Sequence, residues 1–371
     1  MTISQRRDRL RAQLVAADLD AMLVTDLVNV RYLSGFTGSN AALLIRADDE
    51  TPVLATDGRY RTQAAQQTPD AEIVIERACG PHLAARAAGA AVTRLGFESH
   101  VVTVDGYRAL CDAAGDAELI RAAGTVEALR EVKDAGEIAL LRLACEAADA
   151  ALLDLVERDG LRPGRTEKEV GRELESLMLD RGADGVSFET IVAAGQNSAI
   201  PHHRPTDTVL AAGDFVKIDF GALVAGYHSD MTRTFILGPA ADWQLEIYAL
   251  VADAQRAGRE ALAPGATLCD VDAAARRVIA DAGYAENFGH GLGHGVGLQI
   301  HEAPGINSLA AGTLLAGSAV TVEPGVYLPG RGGVRIEDTL VVGCGGHAAG
   351  TDNRHDTPDL LTRFPKELAV L

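Results

Sequence analysis

Phe215-Val-Lys-Ile-Asp219-Phe-Gly221 runs apolar residues into an acid and then a glycine turn, and Ala319-Val-Thr-Val-Glu323-Pro-Gly325 repeats the pattern later in the chain. The strands that follow echo each other as well: Tyr227-His-Ser-Asp230-Met-Thr232 and Val334-Arg-Ile-Glu337-Asp-Thr339 each end acid, one residue, threonine. The simplest reading is two similar β-hairpins with one acid on each strand. A duplicated half-domain, its hairpins meeting about a pseudo-twofold axis, brings Asp219, Asp230, Glu323 and Glu337 together. An acid inside an apolar, β-branched strand is costly to bury unless something neutralises it. One such acid alone reads as a solvent-facing residue or half of a salt bridge. Four in matched positions point instead to two divalent cations, and metals about 3.5 to 4 Å apart are a recurrent device for activating water and clamping a reacting carbonyl.

A nitrogen ligand is sought among ten histidines, and the segment Phe288-Gly-His290-Gly-Leu-Gly-His294-Gly-Val-Gly297-Leu-Gln-Ile-His301-Glu302 stands out. Glycine at alternate positions lets the backbone approach closely, which suits a ligand loop. The G-x-G-x-x-G spacing is not met and the stretch follows a helix pattern, so nicotinamide binding is set aside. His301-Glu302 is followed by Ala-Pro-Gly, which excludes a thermolysin-like zinc helix. Five cysteines (Cys79, Cys111, Cys145, Cys269 and Cys344) are widely spaced with no C-x-x-C pair, which fits reduced thiols. Nitrogen and oxygen must therefore hold any metal. A carboxylate-rich set with one imidazole favours Mn²⁺ or Co²⁺, although affinity order alone favours Zn²⁺.

Outward from these segments, 371 residues suggest two domains, and 47% apolar content excludes disorder. Thirty-four basic against 52 acidic residues leave a net charge of -18, which repels nucleic acid and anionic membranes. The start lacks a signal-peptide core, and no run of about 18 apolar residues occurs, so a cytoplasmic protein without membrane contact is expected. In the first third, apolar runs at Ala21 to Val24, Ala41 to Ile45, Val53 to Ala55, Glu72 to Ile75 and Leu95 to Phe97 alternate with helical patterns, an α/β signature. The alternation stops near residue 128, where the domain boundary is placed: 1–127 and 128–371. Asp134 with Glu137 is a capping box opening a helix that carries Ile138, Leu141, Cys145, Ala148, Leu152 and Leu155. Thr166 with Glu169 opens another bearing Val170, Leu174, Leu177 and Met178, and further helices are expected around Trp243 to Leu262 and Asp270 to Ala282.

The phrases Ile-Asp219-Phe-Gly, Ser-Asp230-Met-Thr-Arg-Thr-Phe, Gly-His290-Gly-Leu-Gly-His294, Val-Glu323-Pro-Gly and Arg335-Ile-Glu337-Asp together resemble the pita-bread (creatinase/aminopeptidase P, M24-type) metallopeptidases. The likeness spans essentially the whole chain, and Asn29-Val-Arg-Tyr-Leu-Ser-Gly-Phe-Thr-Gly38 resembles the creatinase-type N-terminal domain. It implies an α/β creatinase-like N-terminal domain followed by an α+β pita-bread catalytic domain, and is strongest toward short bacterial Xaa-Pro dipeptidases and aminopeptidase P enzymes. Methionine aminopeptidases lack such an N-terminal domain. By this resemblance Asp219 chelates one metal, Asp230 and Glu337 bridge the pair, and His294 and Glu323 hold the other; a hydroxide made available by the two cations attacks the scissile carbonyl, with Glu323 shuttling its proton. His202, in Pro201-His-His203, matches the family's loop histidine, with His203 as fallback. His290 and His301 match histidines near the substrate, one lining its pocket and one stabilising the carbonyl oxygen. Arg335, two residues from Glu337, orients a ligand carboxylate and borders the substrate, and His228 is a further candidate for the pocket lining. Arg31 and Tyr32 sit where a dimer partner's loop edges the site, so a homodimer is implied, although structural packing is an equal reading.

The implied reaction is hydrolysis of the bond between an N-terminal residue and proline in dipeptides or longer peptides. Proline forms a tertiary amide without an N–H, so specificity comes from shape. A strict dipeptidase also needs a cation for the proline carboxylate; residues 295 to 322 contain no Lys or Arg, leaving Arg335, Arg331 or Arg204. The dipeptidase reading leads, with an aminopeptidase acting on longer peptides behind it. A metal-free binding module and a creatinase-type amidinohydrolase are the remaining alternatives, and the complete ligand set argues against both.

Overall fold

The fold is that of a computed structural model describing residues 1–343 and 357–371; Cys344 lies outside the described residues. The chain divides after Arg130 into two units, Met1–Arg130 and Glu131–Leu371, and the helix Thr125–Arg130 runs across the 127/128 boundary read from the sequence. The first unit is a mixed sheet of β1 (Ala21–Val24), β2 (Ala41–Arg46), β3 (Val53–Thr56), β4 (Glu72–Ile75), β5 (Arg94–Phe97) and β6 (Glu118–Arg121), in the order β4-β3-β2-β1-β5-β6. Every residue of β1 is buried, because covering layers on both faces demand a continuous apolar run instead of alternation. Strand β6 escaped the sequence reading: at this edge position only Leu119 and Ile120 are apolar, and charged Glu118 and Arg121 end it.

In the second unit, Asp134 accepts hydrogen bonds from the amides of Gly136 and Glu137 and starts the helix Ala135–Glu157, while Thr166 caps the helix Glu167–Asp180. Each cap is worth about 1 kcal/mol. These helices press Leu152, Leu155, Leu174 and Met178 onto Val216, Ile218, Phe220 and Met231 of a sheet formed by β8 (Ile191–Ala194), β9 (Phe215–Phe220) and β12 (Met231–Ile236). A small sheet of β7 (Gly185–Val186), β10 (Ala222–Val224) and β11 (Tyr227–His228) lies at the tip of the β9–β12 hairpin. The plan recurs in the second half. The helices Asp242–Glu260 and Leu268–Asp281 carry Val251, Ala275 and Ile279 into a core with Val320, Val322, Val326 and Ile336. That sheet contains β13 (Gly293–Gly295), β14 (Glu302–Ile306), β15 (Ala319–Val322), β18 (Asp338–Val341) and β19 (Asp359–Leu360), and β16 (Gly325–Leu328) pairs with β17 (Gly332–Arg335) at the hairpin tip. Helices before a hairpin, twice, are the physical content of the echo in the sequence.

The acids do not all sit inside strands as expected. Asp219 does, opposite Thr232 and Ile191 in the ladder. Asp230, Glu323 and Glu337 each fall one residue outside a strand. Both hairpins break into a base ladder and a tip ladder, and these acids stand at the breaks: Asp230 between β11 and β12, Glu323 between β15 and β16, and Glu337 between β17 and β18. At Glu323 the reason is plain, since Pro324 has no N–H to donate to a ladder.

Candidate metal centre

The four acids converge. Asp230, His294 and Glu337 present ligand atoms within 4.8 Å of one another, the one grouping of three or more His, Cys, Asp or Glu among the described residues that is arranged to hold an ion. His294 Nε2 lies 3.5 Å from both Asp230 Oδ2 and Glu323 Oε1. Its Nδ1 faces the Gly295 carbonyl at 3.0 Å, so the ring proton sits on Nδ1 and the Nε2 lone pair is turned toward the carboxylates. The flanking glycines are steric necessities: a Cβ at Gly293 would meet the Thr321 carbonyl oxygen at 2.0 Å, and one at Gly295 the Ala303 oxygen at 2.1 Å.

Few donors serve these carboxylates. Glu337 Oε2 accepts from the Thr232 hydroxyl at 2.7 Å, and Asp219 Oδ2 pairs with the Arg335 guanidinium. Asp219 Oδ1 is buried without a hydrogen-bond partner. Burial first, and then the neighbouring acids, push the Asp230 and Glu337 carboxyls well above the usual carboxylate range. Burial likewise raises Glu323 to about 8, and lowers His294 to about 4. A buried cluster that repels itself, with a partnerless oxygen and an imidazole nitrogen turned inward, fits divalent cations bound by oxygen and nitrogen.

The cluster forms the floor of a cavity of about 300 Å³ whose wall includes His202, His301, Phe188 and Ile300. His301 packs edge-on against His294, with ring centroids 4.4 Å apart, and burial followed by nearby His202 lowers its pKa. Of the two adjacent histidines, both border the cavity but their environments separate them. His202 is exposed; His203 is buried and lies 2.8 Å from Glu167 Oε2, inside a cradle where Glu167 also receives the Ala194 and Thr206 amides, the Asn197 amide group and the Thr206 hydroxyl. His203 is thus held by the fold.

Three of the expected residues are not among those lining the cavity. His290 does not border the cavity: its Nε2 meets the Tyr327 hydroxyl at 2.8 Å and its Nδ1 the Gly291 carbonyl at 2.8 Å, and burial lowers it to about 4. Arg335 does not border it either. It is buried, and its guanidinium donates to Thr232 Oγ1, Tyr327 Oη, the Pro201 carbonyl and Asp219, so it braces the Asp219 carboxylate from behind, the orienting contact expected of it. His228 also stays off the wall, its Nδ1 3.0 Å from Ser187 Oγ.

Lys217 and Tyr327 were not singled out from the sequence, and Thr232 entered only as the end of the hairpin echo. Lys217 is fully buried and donates to the carbonyls of Ser198, Ile200 and Pro201, fixing the loop just before His202. A signal existed: a lysine in an apolar strand, two residues from Asp219 and therefore on the same face. Tyr327 had a weaker one: Arg335 is near it in the hairpin, but its partner His290 is brought to it only by folding.

Residues 139–343 match metallopeptidase family M24, and residues 6–132 match the creatinase/prolidase N-terminal domain. The uncharacterized peptidase YqhT of Bacillus subtilis is 40% identical over 98% of this chain and 99% of its own. A solved structure of an Xaa-Pro dipeptidase from Bacillus anthracis superposes with a TM-score of 0.92 at 40% identity, covering all of both chains. An X-Pro aminopeptidase from Thermotoga maritima gives a TM-score of 0.85 at 35% identity over 95% of this chain and 98% of that one.

Proposed function

The chain belongs to metallopeptidase family M24, with a creatinase/prolidase N-terminal domain, and from that premise we propose that it is an Xaa-Pro dipeptidase, hydrolysing the bond between an N-terminal residue and proline. One observation supports this above the others: a buried, donor-poor carboxylate cluster with an inward imidazole forms the floor of a dipeptide-sized cavity.

Asp219, Asp230, His294, Glu323 and Glu337 would hold two divalent cations, as family membership implies. Bound there, the cations supply Lewis acidity, activating water and polarising the scissile carbonyl. The chain's own groups do the rest. Glu323, on the cavity lining and 3.5 Å from His294 Nε2, is the carboxylate that takes and returns a proton. His301, packed on His294, is placed to donate to the oxygen that becomes negative as the carbonyl is attacked, and His202 contacts the substrate from the wall. Arg335 acts from behind by orienting Asp219, and His290 by orienting Tyr327. Phe188, Ile191 and Ile300 offer apolar surface to the proline ring.

Mn²⁺ as the working ion rests on the hard donor set. A homodimer and a cytoplasmic location rest on family likeness and the sequence. Among the described residues no helix is long and apolar enough to cross a membrane. The test is a side-by-side assay of Ala-Pro and Ala-Pro-Ala with Mn²⁺ added to metal-stripped protein. The dipeptide should give the higher kcat/KM; a reversed ratio identifies an aminopeptidase, and silence on both identifies a binding module.

A further inference from the structure

In an Xaa-Pro dipeptide the terminal carboxylate sits on the proline itself, whereas in every longer peptide that carbon is an amide, so a strict dipeptidase needs a cation beside the proline seat. Three arginines were open from the sequence. Arg335 is enclosed and committed to Asp219, Tyr327 and the Pro201 carbonyl. Arg331 stacks over the Trp243 ring, 4.1 Å from its centroid, and does not border the cavity. Arg204 does border it, and is the one lysine or arginine among the described residues that does.

Arg204 also shows what it can recognise. Its Nε lies 3.0 Å from Glu189 Oε2, a carboxylate that borders the same cavity, and the two side chains are 82% and 61% exposed. An ion pair this exposed is screened by water and weak, so it opens readily in favour of a better-placed carboxylate. The apolar residues Phe188, Ile191 and Ile300 border the same space. We propose that Arg204 is the specificity residue for the free carboxylate of Xaa-Pro dipeptides, and that substrate displaces Glu189 from it. This rests on the Xaa-Pro peptidase reading and refines it.

The experiment compares kcat/KM for Ala-Pro with that for its neutral amide Ala-Pro-NH₂, in the wild type and in R204Q and R204K, with inhibition by L-proline and by L-prolinamide as a second readout. A charge-assisted hydrogen bond corresponds to about ten- to hundredfold in affinity. The wild type should therefore prefer Ala-Pro to its amide, and R204Q should lower that preference by about tenfold, mainly through KM, with L-proline losing its advantage over L-prolinamide in parallel. R204K should restore part of both. An R204Q protein that keeps the wild-type ratio, or that loses both substrates equally, overturns the role of Arg204 while leaving the peptidase reading intact. Wild-type protein that cleaves neither substrate overturns both.

Discussion

Glu337 and Asp338 are neighbours in the chain and both are buried, yet they meet opposite surroundings. Asp338 Oδ1 accepts from Arg233 at 2.9 Å and the Thr362 hydroxyl at 3.0 Å, and Oδ2 from Gln255 at 2.8 Å and Lys366 at 2.9 Å. Burial alone would raise this carboxyl, but Arg233 and Lys366 outweigh it and hold it below the usual range. Glu337 faces Glu323 and Asp219 and receives one neutral hydroxyl, and its carboxyl is pushed up. Glu167 repeats the Asp338 pattern with donors from the loop around His203. An acid saturated with donors holds a fold together, whereas one starved of them in company with its like awaits a cation.

The contrast can be broken most severely at the starved cluster. Asp230→Ala should lower kcat/KM toward Ala-Pro by about a thousandfold, the order of removing one preorganised electrostatic group, and lower bound metal measured by plasma mass spectrometry. Full activity in such a variant would sink the metal assignment. Next, the two neighbours should respond oppositely when metal-free: Asp338→Asn leaves buried cations facing an amide and should lose about 3 to 5 kcal/mol of stability. Glu337→Gln should lose none, because it removes repulsion. Denaturant melts of both variants decide it, and equal losses contradict the distinction.

The smallest effect is on pH. Glu323 is raised from 4.5 to about 8, so in the metal-free protein its protonated form is favoured by folding. Its contribution to stability is complete below about 4.5 and is lost as pH rises through about 8. Metal-free protein should thus be less stable at pH 8 than at pH 6, by up to about 2 kcal/mol at roughly 1.4 kcal/mol per unit. Added Mn²⁺ should reverse the trend, since the cation replaces the proton. Identical melting at the two pH values, with and without metal, removes the argument.

Much of this was legible in the residues. The capping boxes at Asp134 and Thr166, the strand runs of the first unit and the hairpin echo all depend on neighbours within a few positions, which a sequence displays directly. The short edge strand Glu118–Arg121 was missed because two apolar residues carry too little pattern. That His290 and Arg335 lie off the cavity lining was not legible, because burial and partners come from other strands: Tyr327 is close to Arg335 in sequence, but Pro201 and Asp219 are not.

The sequence by itself determined which residues are candidates to carry chemistry, matched acids in repeated hairpins and a glycine-spaced histidine, and the local caps and periodicities that lead to helices and strands. Tertiary structure alone decided which of the acids lack donors, which of two adjacent histidines is held by a buried glutamate, and which of three arginines borders the cavity. The reason is that a residue's type and spacing are local properties, whereas solvation, charge partners and access to a cavity are set by groups brought from distant parts of the chain.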